Sequence, residues 1–307
     1  MATHDSRFRF ASAPVSWGVE DYPGPAWKQP YEQILDEMIA GGFTGTELGP
    51  YGYFPTDPKV IGPVLEKKKL TMLSSFVPVS LADPSCAGEV VEHIRKVGNL
   101  LAALGAPYLV LADAESPQRQ NLAGRVPKDG SQSLNASQWI QVGKLVADAE
   151  RVSAEFGLDL VFHPHVGTYV ETPAETERLF EALASTKVGL CLDTGHCYYG
   201  GGDPVEEAEK YKRLLRYIHI KDINQAVLDE SRRKAINFGQ AVEAGVFTQI
   251  GEGCVDFPAF FRLLLKNDYS GWLVVEQDVK FGATVVPPAD SMAASLKFLR
   301  RVVEQLP

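Results

Sequence analysis

The sequence predicts a (β/α)8 or TIM barrel, built as one domain over residues 1–307. Short apolar runs rich in β-forming residues alternate eight times with amphipathic helical patterns, which is the order that a parallel barrel requires. No shift in composition and no flexible linker divides the chain. An open α/β sheet lacks its usual support, because no G-x-G-x-x-G motif follows the first strand and no P-loop motif occurs.

The predicted strands are short, mostly apolar runs bounded by polar or turn-forming residues. In chain order they are Phe10–Trp17, Thr44–Leu48, Thr71–Val77, Tyr108–Leu111, Leu158–Phe162, Val188–Leu192, Tyr217–Ile220 and Trp272–Glu276.

The predicted helices lie between these strands and carry apolar residues at helical spacing. One helix start is well marked: Thr172 is placed to cap it, Pro173 takes its first position and Glu175 completes a capping box. The other main helices are predicted at Tyr31–Ala40, Gly88–Leu104, Ala136–Phe156, Val205–Leu215, Phe257–Leu265 and Asp290–Gln305.

Two segments are longer than ordinary connections. Asp113–Leu134 follows the fourth predicted strand, and Ile223–Gly253 follows the seventh. In a barrel, long loops after strands lie at the C-terminal face, where binding and catalytic sites are built. The second loop includes the basic run Ser231–Lys234, which either meets an anionic substrate such as a sugar phosphate or, more simply, forms the solvated face of a helix.

The composition argues against several classes of partner. The net charge is -9 and charges of both signs are interspersed, so neither nucleic acid nor an anionic membrane surface is an expected partner. The first residues lack the apolar region of a signal peptide, and no run approaches the ~20 apolar residues of a membrane span. The four cysteines form no C-x-x-C pair and are expected to be reduced thiols. These features predict a cytoplasmic location.

Histidines are few and concentrate at the ends of predicted strands. Of the six, His4 lies in the N-terminal tail and His93 in a helix. One histidine or carboxylate at a strand end is more often a hydrogen-bonded cap than a ligand. An unpartnered carboxylate that ends an apolar strand is costly, however, so the combined set favours a divalent metal over independent caps. The residues that meet at this face are His163, His165, His196, His219, Glu47, Asp193, Asp222 and Glu276.

Several motifs resemble a known superfamily. "LDTGH" (Leu192–His196), "IHIKD" (Ile218–Asp222) and "VVEQD" (Val274–Asp278) are similar to motifs of the xylose-isomerase-like barrels, which include sugar isomerases, epimerases and inosose dehydratases. The order and spacing of four further motifs resemble the inosose dehydratase branch, whose members dehydrate 2-keto-myo-inositol. These are "APVSWG" (Ala13–Gly18), "GTELGPYGYFPTDP" (Gly45–Pro58), "HPHVGTYVET" (His163–Thr172) and "GVFTQIGEGCVDF" (Gly245–Phe257).

The resemblance implies a metal site and a substrate site. Its metal ligands fall on His163, Asp193, His219 and Glu276 of this chain. Two imidazoles and two carboxylates suit Mn2+, Co2+, Fe2+ or Zn2+, and the resemblance favours Mn2+ or Co2+, with Mg2+ as a further alternative. We also expect Glu252 near the mouth, on a glycine-rich turn. The substrate residues that the resemblance implies are Trp17, Glu47, His165, His196 and Lys221.

The expected reaction is dehydration of a cyclic polyol ketone through an enediolate. Glu276 is the candidate proton acceptor, and the acid that protonates the departing hydroxyl is expected among His165, His196 and Lys221. The superfamily's epimerases place a glutamate where this chain has His163. A metal-bound imidazole is a poor second base, so His163 favours elimination over two-sided epimerisation.

Other functions are weighed against this one. A sugar or sugar-phosphate isomerase or epimerase, which moves a proton at the same hydroxyketone, is the main alternative. A DNA-repair nuclease of this superfamily would need more ligands and a basic groove, which the net charge of -9 disfavours. A carbohydrate-binding barrel without catalysis would not need the metal set. The expected ligand is a small polyol or sugar. The resemblance also implies assembly of the chain as a homodimer or homotetramer.

Overall fold

A parallel sheet that curls into a barrel forms the centre of the fold, which a computed structural model describes for residues 7–21 and 23–306. Within these residues the strands are β1 Phe8–Ser12, β2 Gly45–Thr46, β3 Thr71–Met72, β4 Phe76–Val79, β5 Tyr108–Asp113, β6 Asp159–Phe162, β7 Gly189–Asp193, β8 Leu215–Ile220, β9 Asp222–Ile223, β10 Phe247–Thr248 and β11 Gly271–Val275. Nine of them form the sheet in the order β3-β2-β1-β11-β8-β7-β6-β5-β4.

The two ends of this sheet, β3 and β4, are consecutive parts of one strand position, and this closes the ring. The amide of Leu73 donates to the carbonyl of Thr46 at 3.0 Å, and the amide of Tyr108 donates to the carbonyl of Leu73 at 3.1 Å. The segment from β3 to β4 therefore bonds to β2 on one side and to β5 on the other. The barrel has eight strand positions, which confirms the predicted fold class.

Helices surround the barrel and bury their apolar faces against it. The capping box of Thr172 and Glu175 is present at the start of α6, and Asn135 and Gln138 form another at the start of α5. The helices are α1 Tyr31–Gly41, α2 Pro58–Lys68, α3 Ala87–Ala103, α4 Pro117–Leu122, α5 Ala136–Ala154, α6 Pro173–Ala182, α7 Thr194–Tyr199, α8 Pro204–Lys210, α9 Gln225–Lys234, α10 Phe238–Glu243, α11 Phe257–Lys266 and α12 Pro288–Glu304.

Several element boundaries differ from those predicted, and three of them are instructive. The first strand ends at Ser12, because Pro14 lacks the amide hydrogen for a sheet ladder and starts a 3-10 helix over Pro14–Trp17. The helix predicted over Val205–Leu215 ends at Lys210, since Leu215 already belongs to β8. The third strand extends two residues beyond Val77.

Both long loops lie at the C-terminal face. The loop after β8 pairs β9 with β10 and carries α9 and α10, and Phe238 and Val242 of α10 line the same cavity as the strand-end residues. The loop after β5 carries α4 and supplies Glu115 and Gln120 to that cavity. The expected position of both insertions is confirmed.

The remaining predictions about the chain as a whole concern its cysteines and membrane spans. All four cysteines are free thiols. None of the helices in the described part of the chain has both the length and the apolar character that crossing a bilayer demands.

Candidate active site

The site is built by the two-residue periodicity of the barrel strands. Val161, Cys191, Tyr217 and Val274 pack together in the apolar interior of the barrel. Residues two apart on a strand point to the same side, so the next inward positions lie one layer nearer the mouth. These positions carry His163, Asp193, His219 and Glu276, all of which are buried. A polar layer therefore lies on an apolar floor.

His219 has its two ring nitrogens directed at different partners. Its Nε2 donates to Oε1 of Glu47 at 2.8 Å, so in the neutral ring Nδ1 carries the lone pair. That Nδ1 lies 3.2 Å from Oε2 of Glu276 and 3.8 Å from Oδ2 of Asp193, and it has no hydrogen-bond partner. A carboxylate that fixes the tautomer behind an imidazole is the usual support of a metal-binding histidine.

The two carboxylate oxygens of Asp193 also have different surroundings. Oδ1 accepts hydrogen bonds from the amides of Gly195 and His196, both at 2.8 Å, and thereby caps α7. Oδ2 makes no hydrogen bond of acceptable geometry and lies 3.4 Å from Nε2 of His163. Burial alone would raise the pKa of Asp193, but the ammonium of Lys221 and the neighbouring imidazoles hold that pKa well below its usual range.

Lys221 supplies a positive charge to the centre of the polar layer. Its Nζ lies 2.9 Å from Oδ1 of Asp278, 3.0 Å from Oε2 of Glu276 and 3.1 Å from Oδ2 of Asp193. Burial lowers the pKa of a lysine, but these three carboxylates raise that of Lys221 well above its usual value. The side chain is therefore an ammonium that balances buried carboxylates.

The donor atoms of this layer fit a divalent cation. Nδ1 of His219 is buried and lacks a hydrogen-bond partner, and such an atom is costly unless something binds it. Oδ2 of Asp193 is also buried and makes no hydrogen bond of good geometry, although the ammonium of Lys221 lies 3.1 Å from it. The ligand atoms of Glu47, His219 and Glu276 lie within 4.8 Å of one another, and so do those of His163, Asp193 and His196. Imidazole nitrogens mixed with carboxylate oxygens are a donor set that suits Mn2+, Co2+, Fe2+ or Zn2+.

A second pair of histidines lies nearer the mouth. His165 and His196 stack with ring centroids 3.8 Å apart, and the backbone of Val166 sets the tautomer of each. Nδ1 of His165 donates to the carbonyl of Val166 at 2.8 Å, whereas Nδ1 of His196 accepts from the amide of Val166 at 3.2 Å. In the neutral rings, Nε2 of His165 is therefore an acceptor and Nε2 of His196 a donor.

These side chains surround a cavity of about 330 Å³. Asp193 and His196 do not border it directly but contact the residues that do, through Lys221 and His165. This volume suits a small polar metabolite rather than a polymer. The lining includes Glu47, Phe76, Glu115, His163, His165, His219, Lys221, Phe238, Glu276 and Asp278.

Some predicted residues lie elsewhere. Trp17 is buried away from the cavity, because the 3-10 helix turns its indole so that Nε1 donates to Oε2 of Glu37 at 2.6 Å. Glu252 is exposed and accepts from Gln249, also outside the lining. The structure thus does not bring Trp17 and Glu252 to the substrate cavity. Asp222 is buried and accepts from the amides of Gly251 and Gly253, so it organises the loop after β8.

His93 lies in α3, as predicted, and His4 lies outside the described residues.

The structure also adds residues that the sequence reasoning missed. Asp278 lies two residues after Glu276, beyond the end of β11, and contacts Lys221 and His196 at 2.9 and 3.3 Å. The two-residue spacing of the "VEQD" run was the signal that could have revealed Asp278. Glu115 also lines the cavity, but it lies on a loop with no periodic pattern, so no such signal pointed to it.

Comparisons with known proteins give consistent results. The family model described as xylose isomerase-like TIM barrel matches residues 35–302. The inosose dehydratase of Geobacillus kaustophilus is 33% identical over 300 residues, which cover 97% of this chain and 96% of that protein. The rhizopine catabolism protein MocC of Rhizobium meliloti is 35% identical over 270 residues, covering 88% of this chain and 81% of that protein.

Solved structures share the fold at low sequence identity. A D-allulose 3-epimerase from Methylomonas sp. superposes with a TM-score of 0.71 at 16% identity, covering 97% of this chain and 98% of the epimerase. An IolI protein with a bound zinc atom has a TM-score of 0.71 at 14% identity, with 97% of this chain and 99% of IolI covered. At this identity the likeness supports the architecture alone.

Proposed function

The chain belongs to the xylose isomerase-like TIM barrel family, whose fold it shares, and we propose a specific reaction for this enzyme. It is a metal-dependent hydro-lyase that removes water from 2-keto-myo-inositol, an inosose. The observation that carries this proposal is His163 in the polar layer beside Asp193, His219 and Glu276. With an imidazole in this position, Glu276 is the only carboxylate of that four-residue set that borders the cavity. Elimination needs a base on one face of a carbon, whereas epimerisation needs bases on both.

Relatives support the substrate class. Proteins named inosose dehydratase align with 97% and 90% of the chain at 33% and 29% identity. The cavity lining suits a cyclic polyol ketone, because it offers hydrogen-bond acceptors and an ammonium for hydroxyl groups and the apolar ring of Phe76 for C–H groups. A sugar ring presents this same mixture of hydroxyl groups and C–H faces.

The residues that would hold the metal are His163, Asp193, His219 and Glu276. A divalent ion at this position acts as a Lewis acid that stabilises negative charge on a ketone oxygen. Mn2+ or Co2+ is the proposed ion, with Zn2+, Fe2+ and Mg2+ as alternatives. Glu47 contributes by accepting the Nε2 proton of His219, so that Nδ1, which carries the lone pair in the neutral ring, is directed at the site.

Side chains around the cavity have separate roles in the reaction. Glu276 borders the cavity and is the proposed acceptor of the proton on the carbon next to the ketone. Lys221 adds a fixed positive charge that favours the developing oxyanion. Nε2 of His165 accepts a hydrogen bond from a substrate hydroxyl. His196 acts indirectly, because its Nε2 lies 3.3 Å from Oδ2 of Asp278, which lines the cavity.

An isomerase or epimerase that acts on a ketose is the second candidate. It is favoured by one observation, the set of buried carboxylates and imidazoles that would stabilise the same enediolate. It requires a second base on the opposite face of the substrate.

Incubation of the purified protein with 2-keto-myo-inositol and Mn2+ tests the proposal. We expect the ultraviolet absorbance of a conjugated dione to appear, to vanish after EDTA treatment and to return when Mn2+ or Co2+ is restored. No dione with any of the divalent ions named above would contradict the proposal.

Three broader expectations remain predictions: one domain, a cytoplasmic location, and assembly as a homodimer or homotetramer.

A further inference from the structure

Glu115 is a cavity residue that the reaction described so far does not use. It lies two residues beyond the end of β5, in the loop that precedes α4. Its carboxylate faces the mouth histidines, with Oε1 3.9 Å from Nδ1 of His165. The same cavity is lined by His163, His219 and Glu276, so Glu115 and the polar layer border one substrate space.

The backbone on both sides of Glu115 is firmly held. Before it, Asp113 is buried and accepts from the amides of Leu81 at 3.1 Å and Tyr169 at 2.9 Å. After it, the amide of Ser116 donates to the carbonyl of Gly167 at 3.2 Å. These contacts fix the backbone from which the side chain of Glu115 extends toward the cavity.

The helix that follows Glu115 is anchored by a buried ion pair. Arg119 makes two parallel bonds to Glu175, at 2.8 and 2.9 Å, and both side chains are almost fully buried. One turn of α4 then brings the side-chain amide of Gln120 to Glu115, and its Nε2 donates to Oε2 of that carboxyl. A neutral donor at this oxygen tolerates both the protonated and the ionised carboxyl.

The surroundings of Glu115 suit a proton donor. The side chain of Glu115 is 34% exposed at the mouth of the cavity. Its partial burial, the largest effect, raises the pKa of the carboxyl to about 7, and the nearby carboxylates Asp21 and Asp278 act in the same direction. Gln120 and the ammonium of Lys280 act in the opposite direction. A carboxylic acid with a pKa near the working pH transfers protons efficiently.

The three side chains that the sequence suggested as the acid, Lys221, His165 and His196, are less suited to that role. Lys221 is enclosed by three carboxylates at 2.9 to 3.1 Å. The Nδ1 proton of His165 is donated to a carbonyl, which leaves Nε2 of its neutral ring as an acceptor. His196 does not border the cavity directly.

We infer that Glu115 is the general acid of the elimination, an inference that rests on the proposed function. Glu276 takes the proton of the carbon next to the ketone, and the electron pair of that C–H bond gives an enediolate. The enediolate re-forms the ketone and a double bond to the next carbon while the bond from that carbon to its hydroxyl breaks; the hydroxyl oxygen keeps the electron pair, takes the proton of Glu115 and leaves as water. The resulting enol tautomerises to the dione, Glu276 releases its proton to solvent, solvent at the mouth returns one to Glu115, and no oxidant or reductant is needed.

The direct test is Glu115→Gln in the manganese-loaded enzyme. General acid catalysis is worth about 10²- to 10⁴-fold, so we expect dione formation to fall by about 100-fold or more. Exchange of the substrate's α-proton with deuterium oxide should persist, since Glu276 is intact. The wild-type rate should also fall as the pH rises above about 7, where Glu115 loses its proton, and the variant should lack this limb.

A matched substrate and a matched variant complete the design. An inosose with fluorine in place of the departing hydroxyl needs no proton on the leaving group, so Glu115→Gln should eliminate fluoride at close to the wild-type rate. This also shows that the variant is folded. The control Glu66→Gln changes an exposed residue of α2 and should leave all these rates unchanged.

Each remaining outcome is decisive. Dione formation unchanged in Glu115→Gln overturns the inference but not the proposed function. Equal losses of dione formation, proton exchange and fluoride elimination also overturn it, because Glu115 would then only position other groups. No reaction of the wild-type enzyme overturns the proposed function, and the assignment of Glu115 with it.

Discussion

The imidazole of His219 shows how single residues define this site. Glu47 accepts the proton of Nε2, which leaves Nδ1 buried, unpartnered and directed at Asp193 and Glu276. In His165, by contrast, Nδ1 donates to the carbonyl of Val166, so in the neutral ring the lone pair is on Nε2, and this side chain lines the cavity nearer the mouth. Chemically identical side chains thus present different ring nitrogens, depending on the atom that each hydrogen-bonds.

The first prediction concerns Glu47. In Glu47→Gln the negative charge behind His219 is lost, and we expect the affinity for Mn2+ to fall about 10- to 100-fold. Isothermal titration calorimetry with the metal-free protein measures this. Glu243→Gln, at an exposed position of α10, is the control. An affinity that Glu47→Gln leaves unchanged would show that Glu47 does not support the metal.

Among single residues, the sequence predicted most of the polar layer at the strand ends but few of the cavity residues that lie on loops. The positions of strand ends predicted that His163, Asp193, His219 and Glu276 lie at one face, and the resemblance to known barrels implied that these four form the metal set. Trp17 was misplaced because Pro14 ends the strand and redirects the chain. Whether a residue such as Glu115 faces a cavity depends on how its loop folds over the barrel, and spacing along the chain does not contain that information.

Among the elements, the loop after β5 gains its order from the buried pair of Arg119 and Glu175. Glu175 serves twice, as the capping-box residue of α6 and as the partner of Arg119 in α4. The capping box was readable from Thr172 and Glu175, which lie close in sequence. The ion pair joins residues 56 positions apart and could not be read in that way.

Removing one member of this pair should be costly. In Arg119→Met the carboxylate of Glu175 stays buried without its cation, and we expect the free energy of unfolding to fall by about 3–5 kcal/mol. Urea unfolding measures the change. Arg178→Met removes an exposed pair with Glu181 and should cost less than about 1 kcal/mol. Similar losses in the two variants would contradict this account of the loop.

For the whole molecule, the barrel brings residues from distant parts of the chain into one polar layer on an apolar floor. The class of fold was predictable, because eight repeats of strand and helix leave few alternatives. The closure through β3 and β4 was not, since it depends on a bend that divides one predicted strand. Buried carboxylates in this layer are partnered by Lys221 even without a metal.

This arrangement predicts a protein that stays folded without metal and gains stability with it. Free Mn2+ at 100 times its dissociation constant should add about 2.7 kcal/mol to the free energy of unfolding. Thermal unfolding in EDTA and in Mn2+ measures the difference. Asp193→Asn should abolish the gain, and an equal gain in that variant would place the ion elsewhere.

The most direct test of the central claim is a nuclear magnetic resonance experiment in deuterium oxide with the Mn2+-loaded enzyme, passed through a gel-filtration column so that no free paramagnetic ion remains. 2-Keto-myo-inositol and a ketohexose are supplied in separate samples, and both are followed after the protein is removed. We predict conversion of the inosose to a dione with loss of water and no epimerised ketohexose. Deuterium incorporation and epimerisation of the ketohexose, with the inosose left intact, would contradict the assignment as a dehydratase.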